Sequence, residues 1–284
     1  IHRGISPKGL FLVTEIHRSA TMKAVKIIAG FAILFLLYHT AEYMIVFKNS
    51  PMGFLGIQVL FFIAAWLIAK WQKGKGLSAW GMDGKASLFK HLLPGMLMGV
   101  VLYGVSFSIS LALGAEKIIT TPSLSSALMP IALFVFGNFF SSFSEDILTR
   151  GYVYYHSKGS IIARWIVLLS ATIYLLNHIY RLKDGAQAWI YLFLLGVLYV
   201  LPLLFTKRLW FTGGMHWAGN CTFFITHEVI KTDSVPGKID ANFIFVGCII
   251  VFIPFVYFLL KSFGLMKYSV VETTYKPAES LTLN

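Results

Sequence analysis

Three short polar clusters interrupt otherwise apolar stretches of the chain: Glu145-Asp146-x-x-x-Arg150, Tyr174-x-x-x-His178 and His216-x-x-x-Asn220. The outer residues of each cluster sit four apart, so on a helix they share one face. Ionisable and amide side chains are costly in hydrocarbon, and where they occur they usually mark a site. Asp146 and Arg150 can pair along one helix, which lowers the cost of placing both charges near lipid. Glu145 points about 100° away from Asp146 around that helix and has no evident local partner. A desolvated carboxylate of this kind is a candidate general base. The plain alternative is a salt-bridge cluster at a membrane surface. His216 and Asn220 on one face could donate two hydrogen bonds to a developing oxyanion, or could simply bond to a neighbouring helix. His178, taken alone, reads as an interfacial or core histidine and gains weight only from the other two clusters.

The composition says what kind of scaffold must hold these groups. Hydrophobic residues make up 57% of the 284 and charged residues only 13%, and the mean hydropathy is +0.74. Soluble domains carry about 25% charged residues, so this is a membrane protein. The net charge of +12 could suggest nucleic acid, but the basic residues flank apolar runs, where they act as topology signals. No nucleic-acid partner is expected; the expected partners are membrane lipids and a membrane-associated peptide or protein. The two cysteines, Cys221 and Cys248, lie in apolar segments outside any C-x-x-C pair, so neither a disulfide framework nor a cysteine metal site is expected.

A membrane-spanning helix needs about 20 mostly apolar residues. Eight candidates follow, at roughly 26–47, 51–69, 91–113, 124–157, 160–179, 187–206, 212–230 and 241–263. The fold class is therefore all-α, a polytopic membrane helix bundle with about eight transmembrane helices. The fourth candidate carries the first motif and has Pro130 as its only strong breaker. Gly213 and Gly214 precede His216 and permit close backbone approach, and Ala218 and Gly219 permit close helix packing. His39 with Glu42 reads as an interfacial pair, and His227 with Glu228 as meeting water at a helix end. Trp66, Trp71, Trp80, Trp189 and Trp210 read as an interfacial belt.

Of the 24 Lys and Arg, six (Lys48, Lys117, Arg181, Lys183, Lys231 and Lys238) fall in the odd-numbered connections, and the rest lie in the tails and the even-numbered ones. This asymmetry places both termini in the cytoplasm. The expected organisation is an N-terminal cytosolic tail or upstream extension over residues 1–23, a transmembrane domain over 24–266 and a polar C-terminal tail over 267–284. Met22 is a candidate natural start, and the first apolar run lacks the small-residue cleavage site of a removed signal peptide.

Taken together, the three clusters resemble the motifs of the CPBP intramembrane proteases. That family includes the type II CAAX prenyl proteases and the Abi-type bacteriocin-processing proteins. Its pattern, E-E-x-x-x-R, then F-x-x-x-H, then H-x-x-x-N, appears here as EDILTR, YLLNH and HWAGN, with Gly151 following the Arg. The resemblance covers roughly residues 125–225 and departs at Asp146 and Tyr174, where the family has Glu and Phe. It implies an intramembrane endopeptidase of the bacterial cytoplasmic membrane that hydrolyses a peptide bond of a membrane-associated protein or peptide. By the same resemblance Glu145 and His178 activate water, His216 and Asn220 hold the oxyanion, and Asp146, Arg150 and Tyr174 are structural support.

No cofactor is favoured. Glu145, His178 and His216 nevertheless form a His₂Glu set of the kind that binds catalytic zinc, so a zinc-dependent version of the protease is an alternative. Other readings are a non-catalytic protein on the same scaffold, acting in immunity or complex assembly, and a transporter with a polar relay. The transporter reading calls for inverted repeats, which the sequence does not display.

Overall fold

A computed structural model describes residues 7–266. The described chain divides into two units, one ending at Gly74 and the other beginning at Lys75. Residues 1–6 of the expected N-terminal tail and all of the expected C-terminal tail, 267–284, lie outside the described residues.

The first unit is a hairpin of two long helices, α1 (Pro7–Val46) and α2 (Pro51–Trp71). Residues 7–23 are helical and continuous with the first span. The turn is readable in the sequence. Asn49 adopts a left-handed conformation, with φ 47°. The Ser50 hydroxyl caps α2 by accepting a hydrogen bond from the Gly53 amide at 3.2 Å. Pro51 takes the first helical position, where its missing N–H costs nothing. At the open end of the hairpin, Gln72 Nε2 donates to the Lys26 carbonyl at 2.8 Å. His39 and Glu42 pair at 3.2 Å, and the Tyr38 hydroxyl donates to the same carboxylate at 3.1 Å.

The second unit holds α3 (Lys85–Ala112), α4 (Leu124–Asp146), α5 (Tyr152–Ser157), α6 (Ala163–Asn177), α7 (Ala186–Thr206), α8 (Trp210–Phe223) and α9 (Ala241–Ser262). Between α4 and α5 the helix continues without a break, but the turn over Ile147–Gly151 widens to π-helical spacing. A second widened turn, Phe224–Val229, follows α8. A short antiparallel ribbon, β1 (Glu116–Thr120) with β2 (Lys231–Ser234), joins two loops at one end of the bundle. Beside the ribbon, His227 Nε2 meets Glu116 Oε1 at 3.0 Å; the sequence had pointed His227 toward water. Among the described residues the ribbon is the one element that a purely helical expectation does not contain.

Among the described residues six helices are long and apolar enough to cross a membrane, and the fold is a polytopic helical bundle. Two of the eight expected spans are built on shorter helices. The 160–179 candidate contains α6, which has only 15 residues, about 22 Å of helix against a hydrocarbon core of about 30 Å. The 212–230 candidate contains α8, with 14 residues before its widened turn. Hydropathy windows count apolar residues whether or not the helix continues through them. By contrast, α4 through α5 runs for 34 residues, about 50 Å, and Pro130 does not interrupt it.

Lipid gives no hydrophobic reward for bringing apolar helices together, so close van der Waals contact must hold them. The contact between α3 and α8 depends on glycines. A Cβ placed on Gly95 would collide with the Phe211 carbonyl, and one on Gly99 would collide with the Met215 carbonyl and the Gly219 amide. Gly95-x-x-x-Gly99 is thus a small-residue stripe that lets the two backbones touch. The central helix α7 presents Leu195, Leu198, Tyr199 and Leu203 to the interior, each nearly or fully buried. On α4, Leu124, Leu128, Leu133 and Phe136 stay exposed, as lipid-facing side chains would, and the buried polar groups gather at its C-terminal end. At the end of α7, Lys207 closes the helix in a left-handed conformation. Burial, reinforced by the nearby Lys158 charge, lowers its ammonium pKa.

Candidate active site

The first motif sits where α4 widens. Single π-turns inside α-helices are often found at functional sites. Here the turn carries Arg150 back onto Asp146, one turn earlier, and both side chains are fully buried. The guanidinium Nη1 donates to Asp146 Oδ1 and also to Thr149 Oγ1, the latter at 3.0 Å. Two aromatic faces sandwich this cation, with Arg150 Cζ 4.4 Å from the Tyr174 ring centre and 5.0 Å from that of Tyr199. A desolvated cation over an aromatic face gains about 2 kcal/mol, which offsets part of the cost of burying it. The ring of residue 174 is what Arg150 uses, so Tyr in place of Phe leaves this contact intact.

Asp146 has a second task. Its Oδ1 lies 3.2 Å from His216 Nδ1, so the imidazole donates from Nδ1, a tautomer assigned from the hydrogen-bond network. His216 is buried, its ring stacked on Tyr199 at 5.0 Å and edge-on to Tyr174 at 6.1 Å. Held in this way, His216 turns Nε2 toward Glu145 Oε2, 3.7 Å away. The shorter Asp at 146 therefore still reaches both Arg150 and His216.

Glu145 is not unpaired, contrary to what its surroundings on α4 alone suggest. Its partners come from other helices. Asn177 Nδ2 donates to Oε1 at 3.1 Å, and His178 Nδ1 stands 3.5 Å from the same oxygen. His178 Nδ1 also meets the Tyr174 carbonyl at 2.9 Å, so that nitrogen carries a hydrogen. Glu145 and His216 are buried, whereas His178 and Asn220 are partly exposed.

Because α6 stops at Asn177, His178 lies at the tip of a short helix inside the bundle. His216 lies in the second turn of α8, and the two approach different oxygens of Glu145.

Asn220 stands apart from this group. It is one turn beyond His216 on α8, and its Nδ2 reaches Asn138 Oδ1 at 3.5 Å. Among the described residues no hydrogen bond joins it to Glu145, His178 or His216. Asn138 in turn donates to the Trp217 carbonyl at 3.3 Å. The expected two-donor face of His216 and Asn220 is thus present on α8, with each side chain held by a different residue of α4.

The sequence reading missed three residues of this neighbourhood. Asn138 lies seven before Glu145, two turns along the same face, a spacing that could have flagged it. Asn177 was hidden beside His178. Tyr199 lies in an apolar run and gives no sequence signal.

Among the described residues no group of three or more His, Cys, Asp or Glu side chains is disposed to hold a metal ion. The Nδ1 atoms of His178 and His216 are committed to Tyr174 and Asp146, which leaves their Nε2 atoms as the ones a metal would take. Chemically, the cluster joins two carboxylates, one guanidinium and two imidazoles. Such a set can accept a proton and return it.

No curated protein and no solved structure matches this chain. A family model described as "Type II CAAX prenyl endopeptidase Rce1-like" matches residues 127–222, the segment from α4 to α8 that supplies every side chain of the cluster. Over that segment the chain is similar to the Rce1-like type II CAAX prenyl endopeptidases, in line with the resemblance read from its motifs.

Proposed function

We propose that this protein is an intramembrane endopeptidase that hydrolyses a peptide bond of a membrane-associated protein or peptide with a glutamate-activated water. The observation that carries the reading is that Glu145, His178 and His216 come together from α4, the tip of α6 and α8. Glu145 Oε1 is occupied by Asn177 and His178, so Oε2 is the oxygen free to take a proton from water. The hydroxide attacks the scissile carbonyl carbon, and the carbonyl electrons move onto oxygen. Asn220 and the protonated Nε2 of a His216 imidazolium, whose Nδ1–H stays on Asp146, donate to that oxyanion. Glu145 then gives its proton to the leaving nitrogen as the C–N bond breaks. Asp146, Arg150 and Tyr174 hold His216 and the widened turn in place. Both termini are cytoplasmic, in accord with the charge asymmetry.

The test uses the full chain in lipid nanodiscs with two probes, an internally quenched farnesylated peptide ending in a CAAX-type sequence and a membrane-anchored leader peptide. A positioned general base contributes about 10²–10⁴-fold. Glu145→Gln is expected to lose at least that much cleavage while melting within a few degrees of the parent. Cleavage that survives Glu145→Gln, or a parent chain that cuts neither probe, would overturn the proposal.

A further inference from the structure

We infer that Asn177 is a positioning residue for Glu145, selecting which carboxylate oxygen does the chemistry; the inference rests on the proposed endopeptidase function. Asn177 is buried, with 2% of its surface exposed, at the last position of α6. Its Nδ2 donates to Glu145 Oε1 at 3.1 Å. Its Oδ1 is buried and has no hydrogen-bond partner among the described residues. An amide kept as a structural cross-link normally uses both ends, because an unsatisfied buried acceptor costs about 1–3 kcal/mol. The single hydrogen bond of this side chain therefore points to a task directed at Glu145.

Geometry gives the task its content. The Nδ1 hydrogen of His178 is shared between the Tyr174 carbonyl, at 2.9 Å, and Glu145 Oε1, at 3.5 Å. The first distance is a good hydrogen bond and the second is at the limit. Asn177 thus supplies the one short bond that fixes the carboxylate's rotation about its last torsion. That torsion joins sp³ and sp² carbons and is broad when left alone. With Oε1 held, Oε2 faces His216 Nε2 at 3.7 Å. Without Asn177 the carboxylate can rotate and turn either oxygen away from His216. Because Asn177 and His178 are neighbours at a helix tip, one short segment supplies both groups that face Glu145 Oε1.

The experiment compares full-length wild type, Asn177→Leu and Asn177→Ser in nanodiscs. Leu is close to Asn in shape and lacks the donor; Ser keeps a shorter one. With the quenched farnesylated peptide, Asn177→Leu is expected to lower kcat about 10–100-fold while KM stays within about twofold, the loss expected of an interaction that matters mainly in the transition state. Asn177→Ser is expected to recover part of that loss. Infrared difference spectra supply a readout that needs no substrate. The carboxylate band of Glu145, identified by its disappearance in Glu145→Gln, is expected to shift in Asn177→Leu. Unchanged kcat in Asn177→Leu, equal losses in Leu and Ser variants, or an unmoved Glu145 band would each overturn the inference. If wild type cuts no peptide, the endopeptidase reading and the catalytic consequence fall together, and the band alone decides whether Asn177 holds the carboxylate.

Discussion

Replacing Arg150 by Met separates what the buried charge pair does for the fold from what it does for the site. Arg150 and Asp146 are both fully buried, and Asp146 also accepts from His216. Removing only the cation leaves a carboxylate inside the bundle with its main counter-charge gone. Breaking a buried pair in this way costs about 3–5 kcal/mol, and the two aromatic contacts of the guanidinium, at 4.4 and 5.0 Å, are lost with it. At about 2–4 °C per kcal/mol for a chain of this size class, the melting temperature should fall on the order of 10 °C. Replacing both partners, Arg150→Met with Asp146→Leu, removes the stranded charge and should recover most of that loss, since buried pairs exchanged for apolar residues are often near neutral. Cleavage should not recover, because His216 Nδ1 no longer has an acceptor to fix its tautomer. The assay is thermal unfolding in nanodiscs alongside peptide cleavage for the two single variants and the double. A double variant as unstable as the sum of the singles, or one that regains full cleavage, would refute the account given for Asp146 and Arg150.

Two further outcomes are expected. Gly99→Leu drives a side chain into the Met215 carbonyl and the Gly219 amide, so it should separate α3 from α8, displace His216 and abolish both cleavage and a cooperative melt, whereas Gly104→Leu, where an added Cβ meets nothing within 4 Å, should be tolerated. Metal analysis of the purified chain should find no stoichiometric zinc, and a chelator should leave cleavage unchanged; one tightly held zinc per chain would overturn the metal-free reading.

The sequence by itself determined the solvent and the chemistry. A chain with 57% hydrophobic and 13% charged residues cannot hide its apolar surface in water. Within it, local spacing was enough to pair Asp146 with Arg150 and to set His216 and Asn220 on one face, because i,i+4 contacts depend only on helix geometry. Local spacing could not show that Glu145 is partnered, since Asn177, His178 and His216 reach it from other helices. Nor could it show that α6 stops short, because apolar residues continue to read as a span through the turn that ends the helix. The sharing of Asp146 between Arg150 and His216, the aromatic sandwich of Tyr174 and Tyr199, and the α3–α8 contact through Gly95 and Gly99 are decided only when the helices pack. A side chain's partners across a bundle depend on the depth and rotation of each helix, which van der Waals contact between small residues fixes and which no single segment encodes.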